Sequence, residues 1–191
     1  MYTILRKQFE EFIKLSDEEF SFVCSFFHPA KFSKYSILIH PGEMVEKEFF
    51  IAGGLVKTSL FDDQGKEHIL QFAMEGWWVS DYQALNRYER SELNIQCLEE
   101  VQAFYLNLAD KNRLCEQMHK MEHFFRMKTT SGFLNMQKRV LALMKNDALS
   151  RYNQLYDQYP NLFQRVTKSM IAAYLGVSRE TLSRFDLQNR K

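Results

Sequence analysis

The chain has 191 residues, of which 46% are hydrophobic and 26% charged, and its formal net charge is +1. This composition excludes an intrinsically disordered protein, because it supplies enough apolar surface for one good core or two small ones. The three cysteines are scattered without a C-x-x-C pair, which argues against a disulfide framework or a zinc ribbon. Since no apolar run reaches the ~18 residues that cross a bilayer, we expect a cytoplasmic protein.

The first part of the chain has helical spacing. Between about Thr3 and Phe27, apolar residues recur at intervals of three and four, which predicts helices. Ser16 is followed by three acidic residues and is predicted to cap a second helix start.

From Lys31 to about Leu108 the sequence changes to short runs rich in Ile, Val and Phe, separated by five of the seven glycines. Residues 62–65, Asp-Asp-Gln-Gly, predict a hairpin turn between the strands Val56–Phe61 and His68–Phe72. Short strands with regular glycine turns are typical of a sandwich or barrel.

A linking helix is predicted from about Asp110 to Ser131. Apolar residues follow 4-3-4 spacing, typical of a coiled-coil seam, at Leu114, Met118, Met121 and Phe125. The stripe ends at Lys128, and the next position in its register is Gly132. Such a stripe is compatible with an intramolecular core or with a dimer seam.

The segment Val166 to Phe185 predicts a helix-turn-helix. Thr167 and Ser178 are placed to cap two helix starts, and Gly176 between them can take the positive φ of a tight turn. The apolar side chains expected to face one another across the bend are Ile171, Leu175, Val177, Leu182 and Phe185, with the small Ala172 at the closest approach. A helical hairpin without a DNA role is the alternative interpretation.

Positive charge is concentrated in the C-terminal part. From Leu134 onward there are ten Lys and Arg against four Asp and Glu, whereas residues 1–133 hold fifteen against twenty. A basic C-terminal part beside an acidic remainder favours a polyanion as partner.

Residues Ser178 to Arg184 closely resemble the recognition helix of the Crp/Fnr family, the cyclic-AMP receptor protein and its relatives. Residues 146–166 resemble the preceding segment in the Bacteroidetes-type branch of that family. Three further stretches, 34–43, 49–57 and 62–72, resemble the first strands of its cyclic-nucleotide-binding barrel. The resemblance covers roughly residues 15–190. The chain lacks the N-terminal cysteine cluster of the family's iron–sulfur members.

This resemblance implies an α+β protein with three parts. A jelly-roll sensor barrel would occupy residues 1–109, a dimerisation helix 110–133, and a helix-turn-helix domain 134–191. Only six residues follow Phe185, so we expect no β-hairpin wing after the recognition helix. The implied partners are double-stranded DNA, a second copy of the chain, RNA polymerase and a small-molecule effector. Family members pair through the linking helix, which favours the dimer interpretation of the stripe.

We expect binding rather than catalysis, with the start of the second helix reading bases. Arg179 and Arg184 are candidates for guanine O6 and N7, and Glu180 for a cytosine amino group. The residues predicted to contact phosphates or to position the helix are Thr167, Lys168, Ser178, Thr181 and Ser183.

The predicted effector pocket departs from the family pattern. By resemblance, Arg90 and Ser91 stand at the phosphate position, and Asp81 stands where nucleotide binders carry a Glu for the ribose. However, Ser80 replaces the glycine that admits the phosphate, and the loop is one residue short. We therefore predict that cyclic AMP does not bind tightly, because a phosphate cradle needs several N–H donors and a cation together.

Two other classes of protein stay open at this point. One is a ligand-binding module whose helix-turn-helix serves protein contacts. The other is a cupin-type metal enzyme, suggested by His40 and His68, although no H-x-H accompanies them. Residues 119–123 also match the inverted zinc-peptidase pattern H-x-x-E-H. Nothing in the sequence nominates a third ligand, so no metal is predicted.

Overall fold

A computed structural model of the chain describes residues 1–188, with side chains to Phe185. It confirms the α+β prediction. The strands are β1 His28–Phe32, β2 Ile37–Ile39, β3 Lys47–Gly53, β4 Val56–Phe61, β5 Glu67–Ala73, β6 Trp78–Val79, β7 Asn94–Cys97 and β8 Val101–Asn107. The helices are α1 Tyr2–Glu10, α2 Asp17–Cys24, α3 Tyr82–Arg87, α4 Leu108–Gln117, α5 His119–Lys145, α6 Ala148–Gln158, α7 Leu162–Arg165, α8 Lys168–Leu175 and α9 Arg179–Gln188.

The strands form two four-stranded sheets, with the orders β1-β8-β3-β6 and β2-β7-β4-β5. Neighbouring residues of β3 point to opposite faces, as the two-residue period of a strand requires. Phe49 and Ile51 join a buried cluster with Ile39 and Ile95 of the other sheet. Phe50 instead enters a second cluster formed with the surrounding helices. The sheets therefore share one core, and helices cover the outer face of the first sheet.

Helix α2 begins as its sequence predicts. The Ser16 hydroxyl accepts from the Glu19 backbone N–H at 3.2 Å, and the Glu19 carboxylate accepts from the Ser16 N–H at 2.8 Å. This reciprocal capping box satisfies two N–H groups that would otherwise lack partners at the helix start.

The linking segment differs from the prediction of one helix over residues 110–131. Helix α4 ends at Gln117, the next residue Met118 has an extended backbone (φ −139°, ψ 94°), and α5 begins at His119. The stripe therefore lies on two helices. Leu114, Met121 and Phe125 are buried in the helix-covered cluster, and Met118 packs against it. Burial of these side chains within the protomer outweighs helix continuity, and the stripe assigned to a dimer seam is intramolecular core.

The predicted hairpin is confirmed between β4 and β5. The Asp62 N–H donates to the Lys66 carbonyl at 3.0 Å, and Gly65 adopts a positive φ of 76°. Both conformations match the turn residues of the sequence.

The chain forms two compact units. One contains Met1–Thr58 and Phe72–Thr130, and the other contains Ser59–Gln71 and Ser131–Lys191. The hairpin thus belongs to the unit of the C-terminal helices, a grouping that the predicted boundaries at 109 and 133 did not anticipate. Among the described helices, none is both long and apolar enough to cross a membrane. The predicted absence of a wing concerns the residues after Phe185. Of these, 189–191 lie outside the described residues, so the absence of a wing stays a prediction.

Candidate nucleic-acid interface and effector pocket

The helix-turn-helix forms from α8 and α9 as the sequence predicts. Thr167 caps α8 by accepting from the Met170 N–H at 3.3 Å, and Ser178 accepts from the Thr181 N–H at 3.2 Å. Between the helices Gly176 has a φ of 69°, in the left-handed region. These local signals are sufficient to place both helix starts and the turn.

Burial holds the two helices together. Four side chains on the facing surfaces are almost fully buried, namely Ile171, Ala172, Leu175 and Leu182. The predicted Val177 and Phe185 are partly buried. Phe185 also contacts the Tyr152 ring of α6 with 5.9 Å between ring centroids. The C-terminal helices therefore share a small core that fixes the outward direction of α9.

The predicted base-reading side chains lie together at the start of α9. Arg179, Glu180 and Arg184 are all exposed. The pKa of Glu180 is lowered mainly by hydrogen bonds that its carboxylate accepts from its own backbone N–H and from the Ser178 hydroxyl. The positive charges of Arg179 and Arg184 lower it further. Glu180 is thus a carboxylate at neutral pH, able to accept from an amino group.

The predicted phosphate-contacting residues surround this group. Thr167, Lys168 and Ser178 are exposed, while Thr181 and Ser183 are half-buried. The Ser183 hydroxyl donates to the Arg179 carbonyl at 3.1 Å and so bonds its own helix. Ser183 therefore suits a positioning role better than a direct phosphate contact.

Two arginines that the sequence did not single out hold the C-terminal end of α8. Arg139 Nη2 donates to the Tyr174 carbonyl at 2.9 Å. Arg151 donates to the Leu175 carbonyl at 3.0 Å and to the Asn146 carbonyl at 2.7 Å. Cations stabilise the negative end of a helix dipole and satisfy its last carbonyls. Both arginines lie far from α8 in the sequence, so no local sequence pattern identifies them as partners of that helix.

Substitution of Gly176 tests the turn. We expect Gly176→Ala to lower the free energy of unfolding by about 1 kcal/mol, because an L side chain is strained at positive φ. A β-carbon there would meet no atom within 4 Å, so strain rather than a clash is responsible. Gly132→Ala, in mid-helix and equally free of clashes, should instead be neutral or stabilising. Thermal unfolding of both variants checks this, and equal shifts would contradict it.

The effector candidates Ser80, Asp81 and Ser91 are buried, whereas Arg90 is exposed. The Asp81 carboxylate caps the short helix α3 by accepting from the Ala84 N–H at 3.0 Å, and it accepts from the Ser91 hydroxyl at 2.9 Å. The structure therefore brings Asp81 and Ser91 together, but bonds them to each other.

The other two effector candidates bond backbone carbonyls. Arg90 donates to the Gly42 carbonyl at 2.7 Å, and the Ser80 hydroxyl donates to the Lys47 carbonyl at 2.9 Å. All four side chains therefore have partners inside the protein.

Known proteins are similar to this chain in sequence and in fold. The family model of the cyclic nucleotide-binding domain matches residues 29–118. The cAMP-activated global transcriptional regulator CRP of Salmonella typhimurium is 25% identical over 186 residues, covering 88% of this chain and 85% of that protein. The chain is therefore similar, along most of its length, to regulators of the Crp/Fnr family.

Solved structures of Crp/Fnr-like proteins agree in fold. The c-di-GMP responsive global regulator CLP of Xanthomonas campestris has a TM-score of 0.71 at 14% identity, covering 88% of this chain and 89% of that one. The Thermus thermophilus catabolite activator protein has a TM-score of 0.58 at 18% identity, covering 91% and 83%. The resemblance of residues 146–166 to the Bacteroidetes-type branch stays a prediction.

The pocket residues of this chain do not fit a cyclic nucleotide. A buried carboxylate, Asp81, lies within hydrogen-bond distance of Ser91, which the resemblance assigns to the phosphate. The Ser91 hydroxyl therefore donates its proton to Asp81 rather than to a ligand. The Arg90 guanidinium, which should neutralise a phosphate, is exposed and bonded to Gly42.

The residues that suggested a metal do not converge either. Within residues 1–188 no group of three or more His, Cys, Asp or Glu side chains is placed to hold a metal ion. His119, Glu122 and His123 are exposed on α5, and His123 Nδ1 lies 3.1 Å from Arg126 Nη2.

Proposed function

We propose that the chain is a transcription regulator that binds duplex DNA sequence-specifically through α9. The main observation in support of this proposal is that Arg179, Glu180 and Arg184 are exposed in the first two turns of α9. This helix is the second of the helix-turn-helix. Arginine can bond guanine O6 and N7 together, and a carboxylate can accept from cytosine. The exposed Thr167 and Lys168 at the start of α8 suit contacts to the adjacent phosphates.

The related proteins support this function. CRP of Salmonella typhimurium, which this chain matches along 88% of its length, is a global transcriptional regulator. We extend that role to this chain in its general form, with DNA and RNA polymerase as partners in the cytoplasm.

We propose further that the protein is a dimer, and that its seam is the second half of α5. Here 4-3-4 spacing places Phe133, Gln137, Val140 and Met144 in one row, with Leu134 and Leu141 beside it. Phe133 is 65% exposed and Met144 78% exposed. An apolar stripe this exposed on one helix calls for a partner surface, and a second copy supplies the matching stripe.

The same face of α5 is polar before Phe133, which sets the start of the proposed seam. His123, Arg126 and Thr130 continue the row toward the start of α5, and all three are exposed and polar. Apolar contact between two copies would therefore start at Phe133. Two helix-turn-helices held in this way suit a palindrome with half-sites about 34 Å apart.

For the effector, we predict that cyclic AMP does not bind at physiological concentrations. The expected result of calorimetry is no measurable heat with up to millimolar cyclic AMP, because Ser80 replaces the glycine that admits the phosphate and both Arg90 and Ser91 are bonded within the protein. Arg90→Ala should behave identically to the parent protein. Micromolar binding that Arg90→Ala abolishes would overturn this prediction and restore the phosphate site.

Selection of genomic DNA fragments by the purified full-length protein tests the proposed function. We expect enrichment of a palindromic sequence, with affinity that falls steeply as salt rises. Absence of enrichment, with affinity for a partner protein instead, would favour the interaction-module alternative. Stoichiometric zinc or iron by elemental analysis would favour the cupin-type enzyme.

A further inference from the structure

The face of α5 that carries the proposed dimer seam is basic at its upstream end. The row that reaches Phe133 at alternating steps of four and three residues begins with His119, His123, Arg126 and Thr130, and all four are exposed. None of these four positions carries a carboxylate. Because arginine is permanently charged, the row holds a fixed positive charge just before the apolar seam begins.

His123 and Arg126 form a preorganised pair of donors. Arg126 Nη2 lies 3.1 Å from His123 Nδ1. A guanidinium can only donate, so Nδ1 is the acceptor and the ring proton is on Nε2. The imidazole Nε2–H and the other guanidinium N–H groups can therefore donate to an anion beside α5.

The positive charge of this pair is not neutralised within the protomer. In the part of the chain that the structure describes, Arg126 has no carboxylate partner, and its side-chain contact is His123. The nearest acidic residue in the sequence, Glu122, is hydrogen-bonded to the Cys115 thiol of α4. The counter-charge must therefore come from outside the protomer.

Two copies joined through the seam would bring the two basic pairs together. In a parallel two-stranded coiled coil, equivalent residues of the row face each other across the two-fold axis, and the helix axes are about 8–10 Å apart. Each Arg126 would then face its counterpart, and two guanidiniums at this separation repel each other. An anion between them removes the repulsion and accepts charge-assisted hydrogen bonds from both.

We propose that the dimer binds a phosphate group on its two-fold axis, held by His123 and Arg126 of both copies. A phosphate suits this arrangement because its several oxygens can accept from two guanidiniums and two imidazoles together. The site is incomplete in one protomer, since each copy supplies half of the donors. This inference rests on the dimer proposed above, and it gives the regulator an effector site outside the sensor barrel.

Sedimentation equilibrium of the full-length protein without DNA tests the site. The probe is inorganic phosphate, compared with chloride at equal ionic strength because salt alone screens exposed charges. For an anion that binds only the dimer with a millimolar dissociation constant, about 10 mM phosphate should tighten the dimer about tenfold.

Arg126→Ala should have two effects that separate a binding role from a structural one. In chloride its dimer should be tighter than that of the parent protein, because the repulsion between two guanidiniums is gone. In phosphate it should tighten no further. Arg126→Lys keeps the charge but lacks the planar fork, so it should keep the repulsion and recover only part of the phosphate response.

Arg87→Ala is the matched control. Arg87 is an exposed arginine in the last turn of α3, outside the row on α5. This variant should behave like the parent protein in both buffers. Equal tightening of the parent and Arg126→Ala by phosphate would show a general ion effect and overturn the site.

Glycerol 3-phosphate distinguishes free phosphate from a phosphorylated metabolite. Equal effects of the ester and of inorganic phosphate would assign the site to free phosphate, whereas a stronger effect of the ester would assign it to a metabolite.

The DNA-free measurement also separates this inference from the proposed function. A dimer that ignores phosphate but binds its selected DNA would reject the anion site alone. A phosphate-tightened dimer that binds no DNA would reject only the regulator function. A monomer in both buffers would reject the dimer and the site together.

Discussion

Replacing Leu141 and Met144 together with aspartate should convert the dimer to a monomer and weaken operator binding by about 10²–10⁴-fold. The expected loss of affinity is this large because each half-site would then be bound independently, without the high effective concentration of two linked binding domains. Both side chains are exposed. The fold of the protomer should therefore survive.

Sedimentation equilibrium measures the first part of this result, with 22.8 kDa expected for the monomer. Tyr88→Asp is the control, because it places an aspartate at an aromatic side chain that is 71% exposed in the other compact unit. That variant should remain dimeric and bind DNA normally. A double variant that still sediments as a dimer would show that the seam lies elsewhere.

The arginines of α9 should differ from Lys168 in the kind of binding that they support. Arg179→Ala or Arg184→Ala should weaken binding to the selected site by about 1–3 kcal/mol each and relax base preference at one position. Lys168→Ala should weaken binding to all sequences about equally and reduce the salt slope by about one. The reason is position, since Lys168 starts α8 whereas the arginines lie in the first two turns of α9.

Titration of the selected and a scrambled duplex at several salt concentrations distinguishes these cases. Both arginine variants should retain affinity for scrambled DNA better than for the selected site. Equal losses on the two duplexes for both arginines would mean that α9 does not read bases. The helix-turn-helix would then be a non-specific anchor, and the interaction-module alternative would gain support.

Local chemistry is what made parts of this structure predictable. The Ser16 cap, the hairpin turn at 62–65 and the turn glycine Gly176 each depend on residues within four positions of one another. Their conformations follow from capping and positive φ, which the sequence states directly. The same holds for the exposed side chains of α9, which follow from helical spacing once the two caps are placed.

Long-range packing explains what the sequence did not predict. The stripe at Leu114–Phe125 has the spacing of a seam, yet the same spacing suits a helix packed on its own core, and only the tertiary structure decides between them. The break at Met118 has no proline or glycine to announce it. Likewise, Arg139 bonds residues 70 and 35 positions away, and no local pattern marks such a partner.

The discontinuous second unit has a consequence for synthesis of the chain. Residues 59–71 are synthesised about 5–20 seconds before Tyr174, at typical elongation rates. During that interval the hairpin must persist without its C-terminal partners, and β5 is an edge strand. We expect the charges at its tip, Asp62, Asp63, Lys66 and Glu67, to discourage pairing with other nascent chains. The polar turn would then limit aggregation of the nascent chain before the C-terminal helices are made.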